Sequence, residues 1–491
     1  MGVRRRNFAT FVCALLAAVF LNGAKAWRYE QSIFPPEGSE YGAILSDIVA
    51  YSNGTVLFAA STRDGKAFVI RNGHSYHKWV QIEYDALLND TDMHTDSIGL
   101  TEKVVFISVE SDDNSRKEIK YAWIGENGKR QNQTEPMKML YNESKMRKEI
   151  KYAWIGENGK RQNQTEPMKS LYEENETSVF KERFFAVSRD SIHVAMYITT
   201  IVQDSFHVGI VMYWTRDGNE YKYSGRYVFH NKIAKEEVSF MKFLNSYIIL
   251  GAYNNETKKN IVYVVNDGDM RNFTVECPEG TVVGEASTYD PGSLLAVSCV
   301  CPYNESRSAS PEENPCVATV FVYDITFEKT THLATLNDTD YANPNLNYGK
   351  SICIFNDAIV VSSPYYREFV DKFGSETNTD CGAAENEELA HPFVYLYRNY
   401  KLEKRVYMNS EVAKNGFGAT VSVMGDFLAV SAPYEGGQGR IYLFSVSQFS
   451  AETIGLILFG FLIVSILVIL SVLTYYKLHP MSVSAIQPEF K

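Results

Sequence analysis

Phe417-Gly-Ala-Thr-Val-Ser-Val-Met-Gly-Asp-Phe-Leu-Ala-Val-Ser-Ala-Pro433, continued by Gly437-Gln-Gly-Arg-Ile-Tyr-Leu-Phe444, reads as one supersecondary unit. It holds a strand, a two-residue turn at Gly425-Asp426, an apolar strand of small residues, a loop and a third strand. A turn pair between short β-branched runs is the signal of an antiparallel hairpin. A second copy runs Tyr348-Gly-Lys-Ser-Ile-Cys-Ile-Phe-Asn-Asp-Ala-Ile-Val-Val-Ser-Ser-Pro364, with Phe393-Val-Tyr-Leu-Tyr397 as third strand. A third runs from Tyr41-Gly42 through Val56-Leu-Phe-Ala-Ala-Ser61 to Lys66-Ala-Phe-Val-Ile70. Weaker copies centre on Val104-Val-Phe-Ile-Ser108, Ile192-His-Val-Ala-Met196, Tyr247-Ile-Ile-Leu-Gly251 and Leu294-Leu-Ala-Val-Ser298, with third-strand runs Lys120-Tyr-Ala-Trp-Ile124, Val208-Gly-Ile-Val-Met212, Ile261-Val-Tyr-Val-Val265 and Thr319-Val-Phe-Val-Tyr323.

The third positions of these central strands are Phe58, Phe106, Val194, Ile249, Ala296, Val360 and Ala429, spaced 48, 88, 55, 47, 64 and 69 residues apart. The outlier has a visible cause. Residues 116–138 recur identically as 147–169, an offset of 31 residues. Without one copy the spacing joins the others, so the segment reads as a tandem duplication carried in a surface loop. Units of three or four strands at this period indicate a β-propeller, and seven units predict seven blades over residues 27–449. The last unit reaches only its third strand, Arg440 to Phe444. The segment 27–34 is expected to supply the missing outer strand, which removes an open edge.

The pattern Phe417-Gly418, Gly425-Asp426, Leu428-Ala-Val-Ser-Ala-Pro433 and Gly439-Arg-Ile-Tyr442 resembles the FG-GAP repeat of integrin alpha-chain propellers. The resemblance is fullest in the seventh unit, fair in the first and sixth, and weak in the other four. It implies a cell-surface propeller that recognises another protein. It stops there. The turns Gly425-Asp426, Asn356-Asp357 and Ser52-Asn-Gly54 are too short for the calcium loops of that family, since calcium takes six or more oxygens. Asn266-Asp-Gly-Asp269 follows a third strand and reads as a turn. Stalk domains have no room before the C-terminal apolar stretch, and the tail lacks the Gly-Phe-Phe-Lys-Arg motif.

The ends point to export. Arg4, Arg5 and Arg6, an apolar run from Phe8 to Leu21 and Ala24-Lys-Ala26 make a signal peptide over residues 1–26. Residues 454–473 carry no charge. Their length matches a hydrocarbon core of about 30 Å, so a transmembrane helix is predicted. Tyr475 and Tyr476 suit the interface, Lys477 the cytoplasmic side, and residues 477–491 form a short tail. Tyr475-Tyr-Lys-Leu478 matches an endocytic signal but is read as an aromatic anchor. The expected location is the plasma membrane or another secretory-pathway membrane, in type I orientation.

In an exported chain, Asn-X-Ser/Thr sites carry glycan and must lie at the surface. Ten occur: Asn53, Asn89, Asn132, Asn142, Asn163, Asn175, Asn255, Asn272, Asn304 and Asn337. Six exported cysteines, Cys277, Cys299, Cys301, Cys316, Cys353 and Cys381, predict three disulfides. Pairing between chain neighbours, such as Cys301 with Cys316, is the simplest of fifteen connectivities.

The formal charge is −11, with no basic cluster outside the signal peptide, which argues against nucleic acid as a partner. No His-Glu-X-X-His, Gly-X-Ser-X-Gly or Cys-X-X-Cys occurs. His193 and His207 lie in or beside strands and read as packing or rim residues, and Cys299-Val-Cys301 reads as disulfide chemistry. No catalytic residue, metal ligand or cofactor site is predicted, the ligand-contacting residues are unassigned, and the chain is expected not to be an enzyme. The function expected is adhesion or ligand recognition, the partner being an extracellular protein or glycan. Two alternatives remain: an accessory subunit or sorting receptor held to a membrane partner, and an extracellular hydrolase using paired carboxylates.

Overall fold

The structure is a computed structural model. It describes residues 26–46, 48–50, 55–62, 65–75, 78–86, 93–111, 117–124, 135–136, 151–155, 161–162, 180–202, 206–218, 220–230, 236–266, 269–301, 317–337, 348–364, 393–407, 416–424, 427–433, 435–447, 460, 467–468, 470–471 and 474. The chain divides into two compact units, Glu30–Phe444 and a second made of Met1–Tyr29 with Ser445–Lys491.

The described residues form seven antiparallel sheets, with one parallel pair. After β1 (Ala26–Ile33), the first sheet holds β2 (Tyr41–Leu45), β3 (Val49–Ala50), β4 (Thr55–Thr62), β5 (Ala67–Ser75) and β6 (Lys78–Ala86). The second holds β7 (Met93–Leu100), β8 (Val104–Ser111), β9 (Lys117–Trp123) and β10 (Glu135–Pro136). The third holds β11 (Lys151–Ile155), β12 (Arg161–Gln162), β13 (Phe180–Val187), β14 (His193–Val202), β15 (Phe206–Asp217) and β16 (Glu220–His230). The fourth holds β17 (Glu237–Leu244), β18 (Tyr247–Asn254), β19 (Lys259–Asn266) and β20 (Asp269–Val275). The fifth holds β21 (Val282–Tyr289), β22 (Leu294–Val300), β23 (Thr319–Ile325) and β24 (Thr330–Leu336). The sixth holds β25 (Ile352–Phe355), β26 (Ala358–Ser363), β27 (Phe393–Arg398) and β28 (Lys401–Tyr407). The seventh orders β1 beside β31 (Arg440–Ser447), then β30 (Phe427–Ala432) and β29 (Val421–Met424).

Within Glu30–Phe444, apolar cores lie between successive sheets. Burial does not alternate along the middle strands, because they are covered on both faces: β26 is buried throughout, and β18, β22 and β30 are buried except at their ends. One core joins the third and fourth sheets through Tyr197, Val211, Leu250 and Tyr263. Another joins the fifth and sixth through Val320, Val322, Ile352 and Val361. The seventh sheet packs back on the first through Ile33, Ala429, Ile441 and Leu443 against Tyr41, Val56 and Phe58. This is an all-β propeller.

The repeat residues have specific duties. In the sixth sheet, Ser362 Oγ accepts from Ser351 N at 3.0 Å while Ser362 N donates to Ser351 O. The seventh sheet repeats this with Ser431 and Thr420, and in the fifth Ser298 Oγ accepts from Glu285 N. The serine of each Val-Ser motif thus ties the middle strand to its inner neighbour. Gly349 and Gly418 have φ of +83° and +88°, where a side chain is strained. A Cβ on Gly349 would also sit 2.6 Å from Ser298 Cβ. The preceding ring packs edge-on against a third-strand tyrosine, Tyr348 on Tyr395 and Phe417 on Tyr442.

Two expectations are corrected. The duplicated segment is not wholly a surface loop, since its described residues lie in strands or a bridge, residues 120–124 among them as the third-strand run that the sequence suggests. Its first copy supplies β9 and β10, with Tyr121, Ala122 and Ile124 buried, and its second copy supplies β11 and β12. β11 runs parallel to β16 on the outer side of the third sheet. The six cysteines do not form three disulfides among the described residues. Cys277 joins Cys299, and Cys301 is disulfide-bonded, but Cys353 keeps its thiol. Its buried Sγ accepts from Val423 N at 3.3 Å and donates to Val423 O, a backbone duty that a disulfide would end. The transmembrane helix expected over residues 454–473 falls mostly outside the described residues, and among those described no helix is long and apolar enough to cross a membrane. Residues 460, 467, 468, 470, 471 and 474 are helical, and the rest of that stretch, like the signal peptide through residue 25, lies outside the described residues.

Side chains also cap backbone groups across the sheet junctions. Ile354 N donates to Ser287 Oγ, Val421 N to Ser351 Oγ, and Ile48 N to Ser422 Oγ at 2.8 Å. Ser422→Ala strands the Ile48 donor in a buried site, and a loss of about 1–3 kcal/mol is expected in denaturant unfolding. A mature chain starting near Pro36 lacks β1, which leaves the β31 edge bare; reduced protease resistance and reduced surface delivery are expected.

Candidate functional site

The turns joining the first and second strands of the third to sixth sheets share one construction. Ser191, Asn245, Ser293 and Asn356 each adopt a left-handed backbone, with φ of 61°, 54°, 49° and 55°. Small polar side chains tolerate that region and bond to the nearby backbone. Asp190 Oδ1 accepts from Ile192 N at 2.9 Å and from Ser188 Oγ at 2.6 Å, which closes its turn.

These turns meet across the sheets. Asn245 N donates to Asp290 Oδ1 at 2.9 Å, linking the fourth and fifth sheets. Arg189, from the third sheet, places its guanidinium 5.2 Å from the Tyr289 ring and 5.4 Å from the Phe355 ring. Those rings lie edge to face, 6.0 Å apart, and Tyr289 OH donates to Asn356 Oδ1. Arg398 then holds Asp357 at 3.1 Å and Glu403 at 2.9 Å. A cation over two rings contributes about 0.5–2 kcal/mol, depending on desolvation. Burial pushes the Asp290 carboxyl above the usual carboxylate range, opposed by the Asn245 N–H and Arg189. Arg189, Asp190, Asn245, Asn356 and Asp357 are exposed, so this end offers a mixed-charge hydrogen-bonding surface over aromatic support.

At the opposite strand ends, buried carboxylates anchor tyrosines. Tyr263 OH donates to Glu236 Oε2 at 2.6 Å, and Asn254 Nδ2 donates to Glu236 Oε1 at 3.1 Å. Tyr442 OH donates to Glu435, which Arg440 pairs at 2.8 Å. Burial first, then the carboxylate partner, drives both phenols far above their ordinary range. Burial, helped by the charge of Glu276, pushes Tyr323 up to about 12. Groups so held serve packing and not proton transfer near neutral pH. Among the described residues, no set of three His, Cys, Asp or Glu is arranged to hold a metal.

Of the predicted glycosylation sites, Asn255, Asn272 and Asn337 are described, and all are exposed. Asn53, Asn89, Asn132, Asn142, Asn163, Asn175 and Asn304 lie outside the described residues, as do Cys316 and Cys381. His193 stacks on Phe243 at 6.3 Å, a packing role. His207 lies on β15 opposite Ile201. Asn266 and Asp269 pair across the β19–β20 turn. Sequence reasoning missed the Arg189 cluster, whose partners lie about a hundred or more residues away; only the Ser188-Arg-Asp-Ser191 turn was visible.

No protein-family model matches the sequence. No curated protein sequence matches it either. The resemblance to FG-GAP repeats therefore stands on the residues alone. Among solved structures, the chain is similar to a prolyl endopeptidase at 10% identity and TM-score 0.42, covering 80% of this chain and 45% of that one. It is similar to the acylaminoacyl peptidase of Pyrococcus horikoshii at 9% identity and TM-score 0.41, covering 88% and 55%. It is also similar to the Dos1 propeller at 10% identity and TM-score 0.39, covering 84% and 82%. The chain spans about half the length of the two peptidases. The expectation that the chain is not an enzyme is withdrawn, because proteins described as peptidases stand among these structures.

Asp290 yields a pH prediction. Its folded-state pKa is raised, so ionisation works against folding. That penalty is absent below the unfolded carboxylate pKa of about 3.9 and grows as pH rises through the folded value. Asp290→Asn keeps an acceptor for Asn245 N. Its melting temperature should match wild type near pH 3 and equal or exceed it at pH 7.

Proposed function

We propose that this chain is a type I membrane glycoprotein whose seven sheets act as seven FG-GAP-like blades and recognise another protein or a glycan. The carrying observation is the placement of chain length. The connections between second and third strands, residues 301–318 in the fifth sheet and 364–392 in the sixth, far exceed the turns of two to five residues that join first to second strands at the other end. Long loops on a rigid scaffold are where recognition surfaces concentrate.

Export is supported by the Cys277–Cys299 disulfide and by the exposure of Asn255, Asn272 and Asn337. Anchoring is supported by the described helical residues near the C-terminus. Leu467, Val468 and Leu470 are more than half exposed. Ser471 and Thr474 turn their hydroxyls onto the carbonyls of Leu467 and Leu470, each at 2.7 Å. That leaves an apolar outer face with satisfied hydroxyls, as a lipid environment demands.

Two measurements test this. The full chain should resist alkaline extraction from membranes, and endoglycosidase should increase its mobility. Replacing residues 365–392 by a short Gly-Ser linker should leave the ectodomain folded but abolish capture of surface neighbours by crosslinking. Unchanged capture would remove the loop end from the proposal. Recovery of one partner in fixed ratio would move the reading to an accessory subunit.

A further inference from the structure

We infer that the two copies of the duplicated segment compete for one place in the second sheet, so that the chain exchanges between two threadings. The proposal starts from an identity of sequence and a difference of structure. The repeat, residues 116–138 and 147–169, encloses everything that fills the outer half of the second sheet: β9, the bridge residue Ile124 and β10. In the first copy, Lys120-Tyr-Ala-Trp-Ile124 lies against β8, with Ala122 opposite Val105 and Tyr121 opposite Phe106. In the second copy the same five residues, Lys151-Tyr-Ala-Trp-Ile155, lie parallel to β16, with Ala153 opposite Tyr227. One sequence therefore occupies two unrelated positions.

The hairpins also differ in register. The first pairs Tyr121 with Glu135, and the second pairs Trp154 with Gln162. Neither hairpin is therefore the sole solution for this sequence. Every contact that the first copy makes in the second sheet is available to the second. The Ala122 slot is demanding: it is fully buried, in a core with Val105, Ile107 and Leu57.

What separates the threadings is connection length and the β11–β16 pairing. With the first copy in place, residues 112–116 lead into the slot and residues 137–179 lead on to β13. With the second copy in place, residues 112–147 lead in and 168–179 lead out. The long connection then falls between second and third strands, where the fifth and sixth sheets also carry theirs. Closure entropy varies only with the logarithm of loop length, so redistributing the same residues changes it little. The exchanged state gives up the parallel pairing on β16 and exposes that strand's outer backbone groups.

Substitution tests this in the full chain. Asp at the slot buries an unpaired carboxylate, which a single available copy could not accommodate. Ala122→Asp should leave exported, protease-resistant protein within about two-fold of wild type, because the second copy takes the slot. Ala153→Asp alone should also be tolerated. The double variant should lose about ten-fold or more. A chain lacking residues 117–147 has one copy; it should fold, and Ala153→Asp within it should fail. Loss in Ala122→Asp equal to the double variant would overturn exchange, and so would a double variant that folds. A direct trap is Val105→Cys with Ala153→Cys. These positions become cross-strand partners only in the exchanged threading, at a separation that a disulfide spans. Monomeric cross-linked protein is expected after redox cycling. No cross-link, or a cross-link found only in dimers, would overturn the intramolecular exchange.

Discussion

The propeller depends on how each sheet's innermost strand satisfies the backbone groups that its own sheet cannot. Such a strand pairs on one side only, and its other side faces the neighbouring sheet in a buried place. An unmet donor there costs about as much as a whole hydrogen bond contributes. This chain answers with short side chains from the preceding sheet around the ring: Ser287, Ser351, Cys353 and Ser422 accept from Ile354, Val421, Val423 and Ile48. Elsewhere the polarity reverses. Thr288 donates to Phe243 O, and Thr95 donates to Gly65 O. The residues must be small, because the strands lie close, and polar, because the groups they meet are polar. The short polar residues at these junctions follow from that one requirement.

Much of this was legible in the sequence. The Val-Ser motifs around Ser298, Ser362 and Ser431 announce the middle strands, and the serine is the residue that ties each to its inner neighbour. The aromatic-glycine pairs at Tyr348-Gly349 and Phe417-Gly418 mark a local constraint, a positive φ, and local constraints leave local signatures. The position of β1 beside β31 follows from counting strands, since a last unit with three strands leaves one to be supplied.

What the sequence hid is tertiary. Identical residues carry identical propensities, so nothing in 116–138 and 147–169 distinguishes the copy beside β8 from the copy beside β16; only the unoccupied edges decide. Cys353 resembles the other cysteines of an exported chain, yet its sulfur is engaged by the Val423 backbone from the next sheet. Arg189 sits in an ordinary polar turn, and its rings, Tyr289 and Phe355, come from two other sheets. Periodicity reports which face of a strand is buried, but not which distant turn it will meet.

The place of β31 in its sheet has a mechanical meaning. It lies between β30 and β1, so the strand from which the chain continues to residue 448 and beyond is an interior strand with a ladder on each side. Tension drawn along the chain from that end loads two sets of hydrogen bonds in shear, and does not peel an edge strand bond by bond. Resistance to force is governed by the unfolding barrier and not by the equilibrium between states. A domain held this way can bear traction while its sheets stay closed, even if its thermodynamic stability is ordinary.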